Sequence, residues 1–271
     1  MPKSLAFGVA MLAFVLPETG VSTQSAAAKP SFDEFEVATI KPTSPNPAAR
    51  WIRMLSANEF AAKNHALKTL IAAAYNLSPQ AILGGPAWVD SDHYDITART
   101  PGRVRPDLNE QMSMLRKLLA DRFQLAFHRD EKEMRVYALT VTKGGAKLQE
   151  STLSPDASPQ GPPPLIFTVL PQLIRLPARY ATMGEFASVL QRAALDLPVL
   201  DRTGLSGRYD FDLEFTPDES LFGGALGKGP DESTRPGLFA AIQQQLGLRL
   251  EVTKGAVQAL VIDHVERPSA N

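Results

Sequence analysis

The stretch Gly207-Arg208-Tyr209-Asp210-Phe211-Asp212-Leu213-Glu214-Phe215 decides the fold. Tyr209, Phe211, Leu213 and Phe215 occupy every second position, with Asp210, Asp212 and Glu214 between them. Side chains of a strand alternate between its faces, so this segment turns one apolar face to a core and one charged face to water. A second tyrosine-led segment, His93-Tyr94-Asp95-Ile96-Thr97-Ala98-Arg99, behaves in the same way. Its Tyr94, Ile96 and Ala98 share one face, and His93, Asp95, Thr97 and Arg99 the other.

The neighbours of the two strands also correspond. Ahead of the later one, Thr182 and Glu185 have capping-box spacing, and Phe186, Val189, Leu190, Ala193 and Leu197 form a helical stripe. After it come a glycine-rich loop and a helix with Leu238, Phe239, Ile242 and Leu246, closed by Gly247. LRLEVTK from Leu248 and VQALVIDHV from Val257 read as two final strands. In the first half, FEVATIKP from Phe35 is a strand, and Asn64 is placed to cap a helix bearing Leu67, Leu70, Ile71 and Ala74. Gly84-Gly85-Pro86 reads as a turn. Asn109 starts a helix bearing Met112, Leu115, Leu118 and Leu119, and the strands FQLAFH from Phe123 and RVYALTVTK from Arg135 close the half. LLADRFQLAFH and QQQLGLRLEV match as a helix end running straight into a strand.

Between the halves, ESTLSPDASPQGPPP carries five prolines and no periodic pattern, which reads as a linker. The expected architecture is α+β: two tandem related modules, residues 29–149 and 165–271, joined by 150–164. Each is expected to be a small, mostly antiparallel sheet covered by two helices. LIFTVL from Leu165 and LIRLPARY from Leu173 supply the first strands of the second module.

Composition removes several function classes. The 271 residues hold 28 Lys and Arg against 29 Asp and Glu, a net charge of -1, without the basic surplus a nucleic-acid binder needs. With no cysteine there are no disulfides, thiolate zinc sites or cysteine nucleophiles. Lys3, the uncharged run LAFGVAMLAFVL and the small residues Ala26, Ala27 and Ala28 read as a signal peptide over residues 1–28. The run is shorter than the roughly 20 residues of a spanning helix. Contact with a membrane is therefore expected only through this segment during export.

No catalytic motif emerges. His65, His93, His128 and His264 lack HExxH or HxH spacing, and a structural role is expected for each. Asp90, Asp92, His93 and Asp95 form the densest polar cluster, but the loop lacks the glycine and distal glutamate of a calcium loop, and metal binding there stays open. Ser206 in GLSGR lacks the second glycine of a nucleophile elbow, and Gly223, Gly224, Gly227, Lys228 and Gly229 do not make a phosphate loop. Trp88 is a candidate for surface recognition or for packing.

Ordered blocks along the chain carry a resemblance. GGPAWVDSDHYDITA, LLADRFQLAFH, YALTVTKGGAKL, PVLDRTGLSGRYDFDLEF, LGLRLEVTKG and VIDHVERPSAN resemble an uncharacterised exported protein family common in soil bacteria. That family implies no activity and no catalytic residues. More loosely, residues 182–265 are similar to the short N-terminal domain of secretins and TonB-dependent receptors, through Pro198, Val199, Asp201, Gly204, Leu205, Ser206, Gly207 and Leu246 to Leu248. That similarity implies docking of a partner protein without chemistry. The expectation is thus an exported, non-enzymatic interaction module with an unknown envelope partner, no cofactor, no metal and no assigned catalytic residue. The competing expectation is a secreted hydrolase or small-ligand binder whose site assembles from distant residues such as His93, Asp95 and His128.

Overall fold

The computed structural model describes residues 31–46, 50–152, 165–170, 173–224 and 235–268. The signal-peptide reading, the linker from 153 to 164 and the loop from 225 to 234 lie outside them. The chain opens with β1 (Val37–Thr43), β2 (Trp51–Met54) and β3 (Glu59–Ala66), and β3 runs directly into α1 (Leu67–Tyr75). There follow β4 (Ile82–Gly84), the short α2 (Trp88–Ser91), β5 (His93–Arg99), α3 (Leu108–Arg122) and β6 (Ala126–Val141). The second half supplies β7 (Gln149–Glu150), β8 (Thr168–Leu170), β9 (Leu173–Ala181), α4 (Met183–Val189), β10 (Val199–Asp201), β11 (Tyr209–Phe215), α5 (Leu238–Leu246) and β12 (Leu248–His264).

These elements make an α+β fold with three sheets. One has the order β1-β5-β3-β2 and another β7-β11-β9-β8, both antiparallel throughout. The third, β10-β6-β12-β4, contributes side chains to the cores of both halves. Its centre is the antiparallel pair of the two longest strands, β6 and β12, flanked by β10 parallel to β6 and β4 parallel to β12.

This central ribbon departs from the expected pattern. The segments FQLAFH and RVYALTVTK do not form a hairpin within the first half: residues 126–141 are one continuous 16-residue strand. LRLEVTK and VQALVIDHV likewise merge into one 17-residue strand. The charged stretch Arg129 to Arg135 looks like a break in sequence, but it stays extended because β12 takes its backbone hydrogen bonds. Gly255, between the two expected strands, makes room for a close approach: a Cβ there would lie 2.7 Å from Leu200 Cδ1 and 3.1 Å from Arg202 Nη2. Each half therefore completes its core with a strand that also belongs to the other.

The ribbon register is symmetric about one residue pair, Glu133 opposite Ala256. Tyr137 lies four residues beyond Glu133 and pairs with Val199 of β10; Leu260 lies four beyond Ala256 and pairs with Ile82 of β4. The same correspondence appears in the outer sheets. β3 bulges between Ala62 and His65 opposite Ile96 and Tyr94, and β9 bulges between Ala178 and Ala181 opposite Phe211 and Tyr209. Each bulge holds a non-glycine residue in the left-handed region, Asn64 at φ 56 and Tyr180 at φ 57. Asn64 thus does not cap α1, whose N-cap is Ala66 without a side-chain bond.

Two hydrophobic cores fill the spaces between sheet and helices. Phe60, Ile96, Leu67, Leu70, Ile71, Leu115, Leu119 and Phe123 are sealed in the first, which Leu260 and Ile262 of β12 join from the far half. The second gathers Leu213, Phe215, Phe186, Leu190, Ile242 and Leu246 with Leu139 of β6 and Leu248. Thr182 and Glu185 cap α4 reciprocally, as their spacing predicts, and Gly247 ends α5 at φ 65. The helix after Gly102 starts one residue earlier than its sequence suggests, at Leu108, because Asp107 and Glu110 form a capping box ahead of it. The α4 stripe is cut short as well: from Leu190 to Ala194 the chain takes one π turn, and Leu197 is buried in the loop beyond. Phe239, expected on the buried stripe of α5, is instead 38% exposed and leans on Tyr137 with ring centroids 5.4 Å apart.

Candidate interaction surface

The polar residues singled out in the sequence are each tied to a local partner. Asp90 pairs with Lys68 at 2.9 Å and Asp92 with Arg267 at 2.9 Å. Asp95 accepts from Lys63 Nζ at 2.8 Å and from the Asn64 amide at 3.0 Å. Burial alone would raise the Asp95 pKa, but the hydrogen bonds from Lys63 and Asn64, with the Lys63 charge, hold it below the usual carboxylate value. His93 Nδ1 lies 3.0 Å from the Ser91 carbonyl. Among the described residues, no three His, Asp or Glu side chains gather closely enough to hold a metal ion.

The other imidazoles are dispersed. His128 Nδ1 sits 2.8 Å from Asp263 across the ribbon, and His264 Nε2 lies 3.1 Å from Glu266. The structure therefore gives His128 a β12 carboxylate as partner rather than His93 or Asp95. His65 does not start a helix; it sits near the end of β3, only 8% exposed, with Nδ1 3.1 Å from Thr69 Oγ1. Burial, reinforced by the Arg50 charge and opposed by the Trp51 backbone, depresses its pKa to about 4, and among the described residues no group meets its Nε2 in hydrogen-bond geometry.

On β11 the outward carboxylates meet β9 cations. Arg179 pairs with Asp212 at 2.9 Å and Arg175 with Glu214 at 3.2 Å, while Asp210 accepts the Tyr180 amide at 2.7 Å. Ser206 is exposed. Gly223 and Gly224 close a single 3-10 turn, Leu221–Gly224, whereas Gly227, Lys228 and Gly229 lie outside the described residues. Trp88 is half-buried under the Arg267 guanidinium, 5.0 Å above its ring, so packing accounts for it.

Two open hollows mark the surface of the described residues. One groove of about 170 Å³ runs along Glu34 to Ala38 against Lys117, Asp121 and Arg122. A wider one of about 390 Å³ lies over Val37, Thr39, Glu59, Thr97 and Arg99 on the outer face of the first sheet. Neither contains a histidine.

Among the described residues, β8 is an outermost strand of its sheet with apolar side chains open to solvent. Ile166, Val169 and Leu170 are 47%, 50% and 45% exposed. Phe167 anchors the segment by packing edge-on against Phe215 and Phe222. The other edges of the two outer sheets carry the usual deterrents to strand pairing: Lys41 and Pro42 on β1, Arg53 on β2 and Glu150 on the two-residue β7. From Leu165 to Leu170 there is no charge and no proline. That absence is visible in the sequence, but only the strand order places it at an edge. No described helix is long and apolar enough to cross a membrane.

No curated protein and no solved structure matches the chain. A family described as "Protein of unknown function (DUF3738)" matches residues 68–265, from the first turn of α1 to the end of β12, and the chain belongs to that family.

Proposed function

We propose that this chain is an exported, non-enzymatic interaction module of the bacterial envelope, and that a partner protein adds a strand along β8. Export rests on the composition of residues 1–28, and the docking role agrees with the similarity of residues 182–265 to partner-binding domains of secretins and TonB-dependent receptors. One observation carries the reading: β8 is an outermost strand with exposed Ile166, Val169 and Leu170 beside it and no charged residue to repel a pairing chain. Strand addition takes its affinity from backbone hydrogen bonds and its selectivity from alternate side chains, and β8 offers both.

A photoreactive amino acid at Val169, introduced in the native host, tests this. A discrete adduct is expected, identified by mass spectrometry, and it should disappear when Leu170→Lys restores a charged edge. Adducts identical to those from a probe at Lys254 on the central ribbon, or no adduct at all, would refute the reading.

A further inference from the structure

We propose that Arg135 and Lys254, with Tyr137, Val252 and Phe239 beside them, form a docking site for an extended acidic peptide of a partner protein. On one face of the central ribbon, Leu139 and Leu250 stand opposite each other inside the second core. Two residues along each strand, hence on the same face, Tyr137 stands opposite Val252, and two further on Arg135 stands opposite Lys254. The core runs out at the Tyr137–Val252 row. Val252 is exposed, and the half-exposed Phe239 ring rests on Tyr137 with centroids 5.4 Å apart. An open apolar row thus adjoins a row of two cations.

Like charges directly opposite each other in an antiparallel pair work against the pairing. Both cations are exposed, and among the described residues neither Arg135 nor Lys254 makes a hydrogen bond or an ion pair. The fold itself does not ask for them. Across the symmetry point at Glu133 and Ala256, the equivalent row sets Glu131 opposite Gln258, and Tyr137 is answered by Leu260, which is fully buried. The two cations therefore point to a carboxylate from outside. Successive rows on one face lie about 7 Å apart, which is also the spacing of residues i and i+2 in any extended chain. A peptide lying along the ribbon can set an apolar side chain on the Tyr137–Val252 row and, two residues on, an Asp or Glu at the cations. Glu133, one row beyond, repels a carboxylate placed there and so helps to fix the register. Asp196, which accepts from the Tyr137 hydroxyl at 3.4 Å, disfavours an acid on the apolar row. These contacts use side chains on a sheet face. They are separate from backbone pairing at β8, and the occupant is a different chain.

Panning a random decapeptide library against the purified chain tests this. Enriched sequences should carry an aromatic or aliphatic residue with Asp or Glu two positions away. By fluorescence anisotropy, such a peptide should bind the wild type, Gln258→Ala and Leu170→Lys alike, and bind Arg135→Glu and Lys254→Glu at least about tenfold more weakly. No enrichment, enriched sequences without acids, or undiminished binding to either charge reversal overturns the proposal. Loss of binding in Leu170→Lys also overturns it, since the peptide would then sit at β8. If a charge reversal fails to fold, amide chemical shifts of the wild type decide. Perturbation centred on residues 252–254 supports the site, and perturbation centred elsewhere overturns it.

Discussion

Asp210 holds the amide of Tyr180 at 2.7 Å, and in the other half Asp95 holds the amide of Asn64 at 3.0 Å. In both places the carboxylate on a tyrosine-led strand satisfies a backbone N–H that a left-handed bulge has lifted out of the sheet. The aspartate after the tyrosine is thus a structural device that lets a strand bend into the helix that follows it. Asp95, the most suggestive member of the polar cluster, is accounted for by this role.

Replacing either aspartate should therefore cost stability rather than chemistry. Asp210→Ala and Asp95→Ala should each lower the unfolding free energy by about 2 kcal/mol, the size of a lost hydrogen bond to a charged group. Urea titration measures this. A change below about 0.5 kcal/mol in both variants would mean that the bulges are held by something else.

Acid should destabilise the chain through His65. Its folded pKa of about 4 lies below the ordinary value near 6.5, so the unfolded state binds the proton first. The associated stability is complete above about pH 6.5 and is lost as the pH falls toward 4, by about 3 kcal/mol in all. Stability curves between pH 7 and 5 should fall more steeply for the wild type than for His65→Leu. Parallel curves would contradict the assignment.

At Gly247 an alanine should be poorly tolerated. The residue has φ 65, and an added Cβ would collide with the Gly145 carbonyl and lie 2.9 Å from the Lys147 amide. Gly247→Ala should cost more than 2 kcal/mol, through strain and displacement of the loop packed on it. Gln124, at φ 49, ends α3 in the equivalent place, so Gln124→Gly should be neutral or stabilising. Chemical denaturation of the two variants compares them directly.

Neither half should fold by itself. A fragment of residues 31–152 retains β6 but loses β12, its antiparallel partner along the whole strand, together with β10. Leu260 and Ile262 would also be missing from its core. Such a fragment should show little amide dispersion by NMR, and mixing it with residues 165–268 should restore it. A well-dispersed spectrum from the first fragment alone would show that the ribbon is dispensable.

Local signals in the sequence were sufficient wherever a short stretch decides its own conformation. The alternation at Tyr209 to Phe215, the Thr182–Glu185 capping box and the Gly247 stop all take their expected form. What the sequence concealed depends on distant partners. Arg129 to Arg135 is too polar to announce a strand, and only pairing with residues 254 to 260 keeps it extended. Asn64 has the chemistry of a helix cap, but its side chain bonds the Ser44 carbonyl and the Asn46 amide across a loop instead. Phe239 fits the α5 stripe by spacing, yet the ribbon presents Tyr137 where a half-exposed ring can rest. The candidate surface was legible only in part: LIFTVL announces a strand, but nothing local to it says that the strand lies at the border of a sheet.

Backbone amide exchange across residues 165–170, with and without the protein captured at Val169, tests the proposed recognition most directly. Strand addition predicts that exchange slows at least tenfold on binding at the β8 amide among Val169 and Leu170 that points away from β9, while the amides of β11 stay unchanged. Unaltered exchange along β8, with protection appearing elsewhere, would contradict recognition at this edge.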